Sequence, residues 1–167
     1  AFLEEYIKDT GIKLMIHVKD HSTQQRTIEC VDAIISKLRA NNILDKAEWL
    51  MTNYAASKHI VQECKDEVPD LIVDYSNDNV VRTFDQLAAD GMILNYNYKT
   101  VDKDITCVKR AHDAGIQMVV WTIDTEDLML KYMALGVDYL NTDRPDLLIN
   151  LKKMLSLNRK TNSITKT

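Results

Sequence analysis

The stretch Gly115-Ile-Gln-Met-Val-Val-Trp-Thr-Ile-Asp124, a short helical segment, and then Gly136-Val-Asp-Tyr-Leu-Asn-Thr-Asp-Arg-Pro145 decide how the chain is read. Gln117 to Ile123 has the pattern of a buried strand, Glu126 to Leu135 that of a helix, and Val137 to Asn141 that of a second strand. Pro145 then opens another helix. A run such as Met118-Val119-Val120-Trp121 is apolar on both alternating faces, which fits a strand covered on both sides in a parallel sheet. Polar side chains appear as each strand ends: Thr122 and Asp124 after the first, and Asn141, Thr142, Asp143 and Arg144 after the second. In parallel α/β folds, that edge is where ligands bind.

Working outward, the same alternation covers the chain. Phe2 to Asp9 reads as the tail of a helix stopped at Thr10-Gly11, and Ile12 to Val18 as a first strand. Gln24 to Ala40 is a long amphipathic helix carrying Ile28, Val31, Ile35 and Leu38, with Ser22 or Thr23 to cap it and Asn41-Asn42 to end it. Trp49 to Thr52, Leu71 to Val73 and Met92 to Leu94 are further strands. Ala55 to Glu67, Asn79 to Ala89 and Val101 to Ala114 are the helices between, with Gly91 and Gly115 as stops. Six strands alternating with helices imply a parallel sheet with right-handed crossovers. The domain is expected to span residues 1–157, followed by a polar tail over 158–167.

Composition excludes several function classes. With 167 residues, 46% hydrophobic and 28% charged, the chain has the size of one ordinary domain with a real core. A net charge of −4 and the lack of a basic stripe argue against a nucleic-acid partner. No apolar run approaches the roughly 20 residues of a membrane span. Cys30, Cys64 and Cys107 are odd in number, widely spaced and set in helical patterns, so free thiols are expected.

Trp121-Thr122, together with Gly136-Val137-Asp138 and Thr142-Asp143-Arg144-Pro145, resembles the last two strands of the glycerophosphodiester phosphodiesterase family. The resemblance implies a TIM-type (β/α) barrel, and a divalent metal, commonly calcium or magnesium, that helps hydrolyse a glycerophosphodiester to glycerol 3-phosphate and an alcohol. Six βα units would correspond to strands 3 to 8, with the first two strands of the barrel absent from this chain. In the family those strands carry a His-Arg-Gly signature, an acidic metal-binding pair and a second His, none of which is found here. An upstream His-Arg-Gly followed by Glu-x-Asp would restore the enzyme.

The family's third strand commonly ends Glu-Ile-Lys, and the matching residues here are His17, Val18 and Lys19. His17 and Lys19 alternate about Val18 and so face one side, the barrel interior. His17 is the candidate metal ligand or acid/base group, against a plain hydrogen-bonded residue at the barrel mouth; imidazole suits zinc, copper or iron better than calcium or magnesium. Lys19 is the candidate for contacting a phosphate, against an ion pair with Asp74, Asp124 or Asp143. Trp121 is a candidate to pack on a glycerol moiety, against a core Trp. Tyr96 and Tyr98, on a loop after the fourth strand, are candidates to reach the mouth. Asp143 is expected to cap the helix at Pro145, and His21 and His59 to be solvated.

Two function classes follow. In one, the chain is the larger part of a metal-dependent phosphoric diester hydrolase acting on glycerophosphodiesters. In the other, it is a catalytically silent member that serves as a binding or assembly module. Either way, the two open edges of a six-stranded sheet imply self-association or completion by a further segment.

Overall fold

A computed structural model of the protein describes residues 4–76 and 82–164, with side-chain surroundings for residues 6–76 and 82–156. Its element order is β1 (Leu14–Val18), α1 (Gln24–Ala40), β2 (Ala47–Met51), α2 (Tyr54–Cys64), β3 (Ile72–Ser76), α3 (Phe84–Ala89), β4 (Ile93–Asn97), α4 (Tyr98–Lys103), α5 (Thr106–Asp113), β5 (Met118–Trp121), α6 (Glu126–Ala134), β6 (Tyr139–Leu140) and α7 (Pro145–Ile164). The strands form one six-stranded sheet in sequence order, and every neighbouring pair is parallel. With helices between successive strands, this is the half-barrel that the alternation implies. The last helix runs across the boundary at residue 157 that the sequence suggested.

Residue parity explains where the core sits. Successive strand side chains point to opposite faces, and on the outward face Val18, Ala47, Trp49, Met51, Val73, Tyr75, Leu94, Met118 and Val120 are all buried. They meet the apolar stripes of the helices, including Val31 and Ile35 of α1, Ile60 of α2, Val101 of α4, Ala111 of α5, and Met129 and Tyr132 of α6. The opposite, concave face carries Met15 and Tyr139, which are 47% and 39% exposed. All three cysteines are free; Cys64 and Cys107 are buried and Cys30 is half-buried.

Local chemistry sets the helix ends. Thr23 caps α1, its side chain accepting from the Arg26 N–H, and Thr83 and Gln86 form a reciprocal capping box on α3. The expected helix from Val101 to Ala114 is two helices. Asp104 interrupts it, because its carboxylate accepts from the backbone N–H and the hydroxyl of Thr106, at 3.0 and 2.5 Å; such local side-chain bonds compete with the helical ladder. Tyr96 and Tyr98 are also not on a loop. Tyr96 lies in β4 and Tyr98 begins α4, and both are partly buried against the core. Of the expected helix from Asn79 to Ala89, residues 79–81 lie outside the described residues, and the described part begins at Phe84.

At Gly91 the backbone must turn from α3 into β4 with φ +72°, and a Cβ there would meet Val61 Cγ1 at 3.1 Å. Gly11 does not take this left-handed conformation. The turn after Tyr6 and Ile7 is instead held by the Thr10 hydroxyl, which donates to their carbonyls and accepts from the Ile12 N–H. Gly91→Ala is expected to destabilise the fold by about 1–2 kcal/mol through the left-handed strain and the Val61 contact, measured by urea denaturation. An unchanged midpoint would show that the turn relaxes freely.

Candidate functional site

The concave face and the carboxyl ends of its strands hold the polar side chains. His17 in β1 is in register with Leu50 of β2, and Lys19 follows just beyond the strand end on the same face. Both are exposed. Partial burial, and then the charge of Lys19, hold the His17 imidazole below its usual pKa. At neutral pH, His17 is therefore a neutral ring able to accept one hydrogen bond and donate another. Lys19 is the cation of this corner, and among the described residues it forms no ion pair.

Two of the acidic partners considered for Lys19, Asp74 and Asp124, are engaged elsewhere. Asp74, in the middle of β3, accepts at Oδ2 from Asn95 Nδ2 of β4 at 3.2 Å. Asp124 Oδ1 accepts from the Thr142 hydroxyl at 3.0 Å and from the Asp143 N–H at 2.8 Å. Asp143 thus joins the end of β5 through its backbone rather than capping α7 with its side chain. The Thr142 hydroxyl accepts from the Arg144 N–H at 2.9 Å, and Arg144 makes a forked pair with Asp146 at 3.2 and 3.0 Å. Between these loops, Trp121 is half-buried, shares the concave face with Val119, and is in register with Asn97. The expected His59 surface residue pairs with Asp32 at 2.6 Å.

A divalent ion needs several oxygen donors or a set of His and Cys ligands. Among the described residues, no three His, Cys, Asp or Glu side chains converge to hold one. His17 has a lysine as its same-face neighbour, which opposes a cation. The residues present therefore do not fit a metal on their own.

Residues 2–147 match the family model described as the glycerophosphoryl diester phosphodiesterase family. The chain belongs to that family. Similar solved structures agree in fold. A glycerophosphodiester phosphodiesterase from Parabacteroides distasonis superposes with a TM-score of 0.77 at 24% identity, over 87% of this chain and 59% of that one. A putative glycerophosphoryl diester phosphodiesterase from Agrobacterium tumefaciens gives a TM-score of 0.69 at 16% identity, over 89% and 61%. An Oleispira antarctica phosphodiesterase, solved with the product sn-glycerol-3-phosphate, gives 0.64 at 18% identity, over 83% and 54%. This family member thus spans little more than half the length of these structures. No curated protein matches it.

The Asp74–Asn95 pair is the feature that the strand pattern alone did not single out. Its signal was present: Asp74 in Leu71-Ile-Val-Asp-Tyr-Ser76 and Asn95 in Met92-Ile-Leu-Asn-Tyr-Asn97 interrupt the apolar runs at concave-face positions. Burial pushes the Asp74 carboxyl up to about 7 from 3.8; the Asn95 bond opposes the shift and Glu48 adds to it. A carboxyl whose folded pKa is raised contributes its stability fully below the unfolded value, and loses it as pH rises through the folded value. Asp74→Asn is therefore expected to gain stability relative to the unsubstituted protein as pH rises from about 4 to 7, by on the order of 1–4 kcal/mol. Urea titrations of both proteins across that range measure the difference; a constant gap would mean that Asp74 is ionised throughout.

Proposed function

We propose that this chain is the C-terminal six-unit portion of a phosphoric diester hydrolase that converts a glycerophosphodiester to glycerol 3-phosphate and an alcohol. The family match over residues 2–147 carries this reading. His17 and Lys19 at the end of β1, and Trp121 on β5 with β2, β3 and β4 between them, supply its share of the substrate site. Lys19 meets the phosphate oxygens, because an unpaired ammonium beside a neutral imidazole is the corner's only positive charge among the described residues. Trp121 offers a ring on which the glycerol carbons pack. His17 orients a hydroxyl or water by hydrogen bonding. Hydrolysis also needs a base for the attacking group and an acid for the leaving alkoxide, and two further βα units, on a longer chain or a partner, would supply these together with any metal ligands.

His17, standing where the family's strand commonly has Glu, favours a second reading: a silent member used as a binding or assembly module. Purified residues 1–167 are expected to show no measurable hydrolysis of glycerophosphocholine with calcium or magnesium, and to bind sn-glycerol 3-phosphate weakly. Lys19→Ala is expected to weaken that binding about tenfold, the loss of one charge-assisted contact. Turnover that vanishes in His17→Ala would make His17 catalytic; binding that survives Lys19→Ala would remove Lys19 from the site.

Sheet edges support the partner requirement. Among the described residues, the outer edges of β1 and β6 pair with no other strand, and such edges recruit other chains. Light scattering of the purified chain is expected to report a dimer or larger species, and a monomer at all concentrations would contradict self-association.

A further inference from the structure

Trp121 has a polar neighbour just past the end of β6. The Asn141 N–H donates to the Val120 carbonyl at 2.9 Å, and the Asn141 carbonyl accepts from the Ile123 N–H at 2.9 Å. The β5–β6 ladder, in which Val120 faces Leu140, therefore continues by one step and sets Asn141 beside Trp121. Side chains two residues apart on a strand share a face, so Asn141 follows Tyr139 onto the concave side, where both line the cavity together with Thr142. Adjacent strands lie about 4.8 Å apart, which puts the Asn141 carboxamide within reach of whatever rests on the indole ring.

That carboxamide keeps its hydrogen-bonding capacity. Asn141 is half-buried, and among the described residues its side chain makes no hydrogen bond. Thr142 and Arg144, next along this rim, are spent on their neighbours: the Thr142 hydroxyl donates to Asp124 and accepts from the Arg144 N–H, and the Arg144 guanidinium is forked onto Asp146. On the other side of Trp121, and in register with it, Asn97 is turned to its own helix, its Oδ1 accepting from the Lys99 N–H at 2.9 Å. The polar flank offered beside the ring is thus the β6 side. Two further βα units would join the outer edges of β1 and β6 and leave this end open, because the mouth of a (β/α) barrel lies at the carboxyl ends of its strands.

A carboxamide carries an acceptor oxygen and two N–H donors, and a hydroxyl both donates and accepts. Two vicinal hydroxyls can therefore bond one carboxamide in both senses while the carbons that bear them pack on the indole. A plain alkyl group would satisfy the ring and leave the half-buried carboxamide unpaired, which is costly. We propose that Asn141 is a specificity-determining residue of the substrate site, its carboxamide bonding the vicinal hydroxyls of the glycerol half while Trp121 packs on the carbons. The site thereby selects a phosphate ester of a vicinal diol over one of a simple alcohol. This role rests on the phosphodiester reading, in which Lys19 holds the phosphate.

The test compares sn-glycerol 3-phosphate with propyl phosphate, which keeps the phosphate and the carbon chain but has no free hydroxyl, by NMR titration of the ¹⁵N-labelled chain at constant pH and ionic strength. The unsubstituted chain is expected to bind sn-glycerol 3-phosphate about fivefold more tightly, the effect of a neutral hydrogen bond. The Asn141 side-chain amide signals are expected to shift with sn-glycerol 3-phosphate and not with propyl phosphate. Asn141→Ala is expected to remove the preference and leave the affinity for propyl phosphate unchanged. Equal affinities in the unsubstituted chain, a preference that survives Asn141→Ala, or amide signals indifferent to sn-glycerol 3-phosphate would overturn the role of Asn141. Should Asn141→Ala fail to fold, the amide signals and the ligand comparison decide on the unsubstituted chain. Lys19→Ala separates this role from the phosphodiester reading: binding of both ligands weakened alike with the preference kept supports both, and undiminished binding with the preference kept supports Asn141 while removing Lys19 from the phosphate. Failure of both ligands to bind the unsubstituted chain would overturn the two together.

Discussion

Exclusion of water from the outward face of the parallel sheet governs the rest of the molecule. Trp49, Met51, Val73, Leu94, Met118 and Val120 are buried beneath the helices, and each side chain of that size contributes roughly 1.5–3 kcal/mol when removed from water. Because strand side chains alternate, committing these positions to the helix layer commits their neighbours to the concave face. A slip of one residue in any strand would put His17, Glu48, Asp74 or Asn95 under a helix, where an unpaired polar group is far more costly than on the open side. Register and site geometry are therefore the same constraint seen from two faces.

That constraint also explains how polarity is distributed over the concave side. Where strands end, side chains and backbone can satisfy one another, as Asp20 does with Thr52 at 3.2 Å and Asp124 does with Thr142 and Asp143. In mid-strand there are fewer local donors, because the backbone N–H groups are committed to the parallel ladder. Asp74 and Asn95 sit in that position and are left with each other. Surface ion pairs such as Lys109 with Asp113 and Arg110 with Asp104 are exposed and contribute little by comparison.

Much of this was legible in the residues, for reasons that differ from element to element. Helix α1 was readable end to end, because a long apolar stripe and local caps at Thr23 and Asn41-Asn42 agree. The Trp121 and Gly136–Pro145 strands were readable because a linked pair of motifs is more specific than either alone. Helices α4 and α5 were merged in the reading, since Asp104 breaks the helix by a side-chain bond that periodicity does not register. Tyr96 and Tyr98 were misplaced because β4 continues through Asn97, three residues beyond the apolar run that ends at Leu94, and parity then turns Tyr96 toward the helices. The Asp74–Asn95 pair depends on a contact between strands 21 residues apart, which no local pattern encodes.

Asp124 joins two stretches of chain through one oxygen atom. Its Oδ1 takes a hydroxyl from Thr142 and a backbone N–H from Asp143, while that same hydroxyl takes the N–H of Arg144 at the start of α7. The turn leaving β5 and the turn entering α7 are consequently linked as one mechanical unit rather than two adjacent loops. Swinging either one outward breaks the shared acceptor for both, so their excursions are correlated and belong to a single cooperative opening. The rim of the half-barrel at this corner behaves as a hinge plate fastened at one pin.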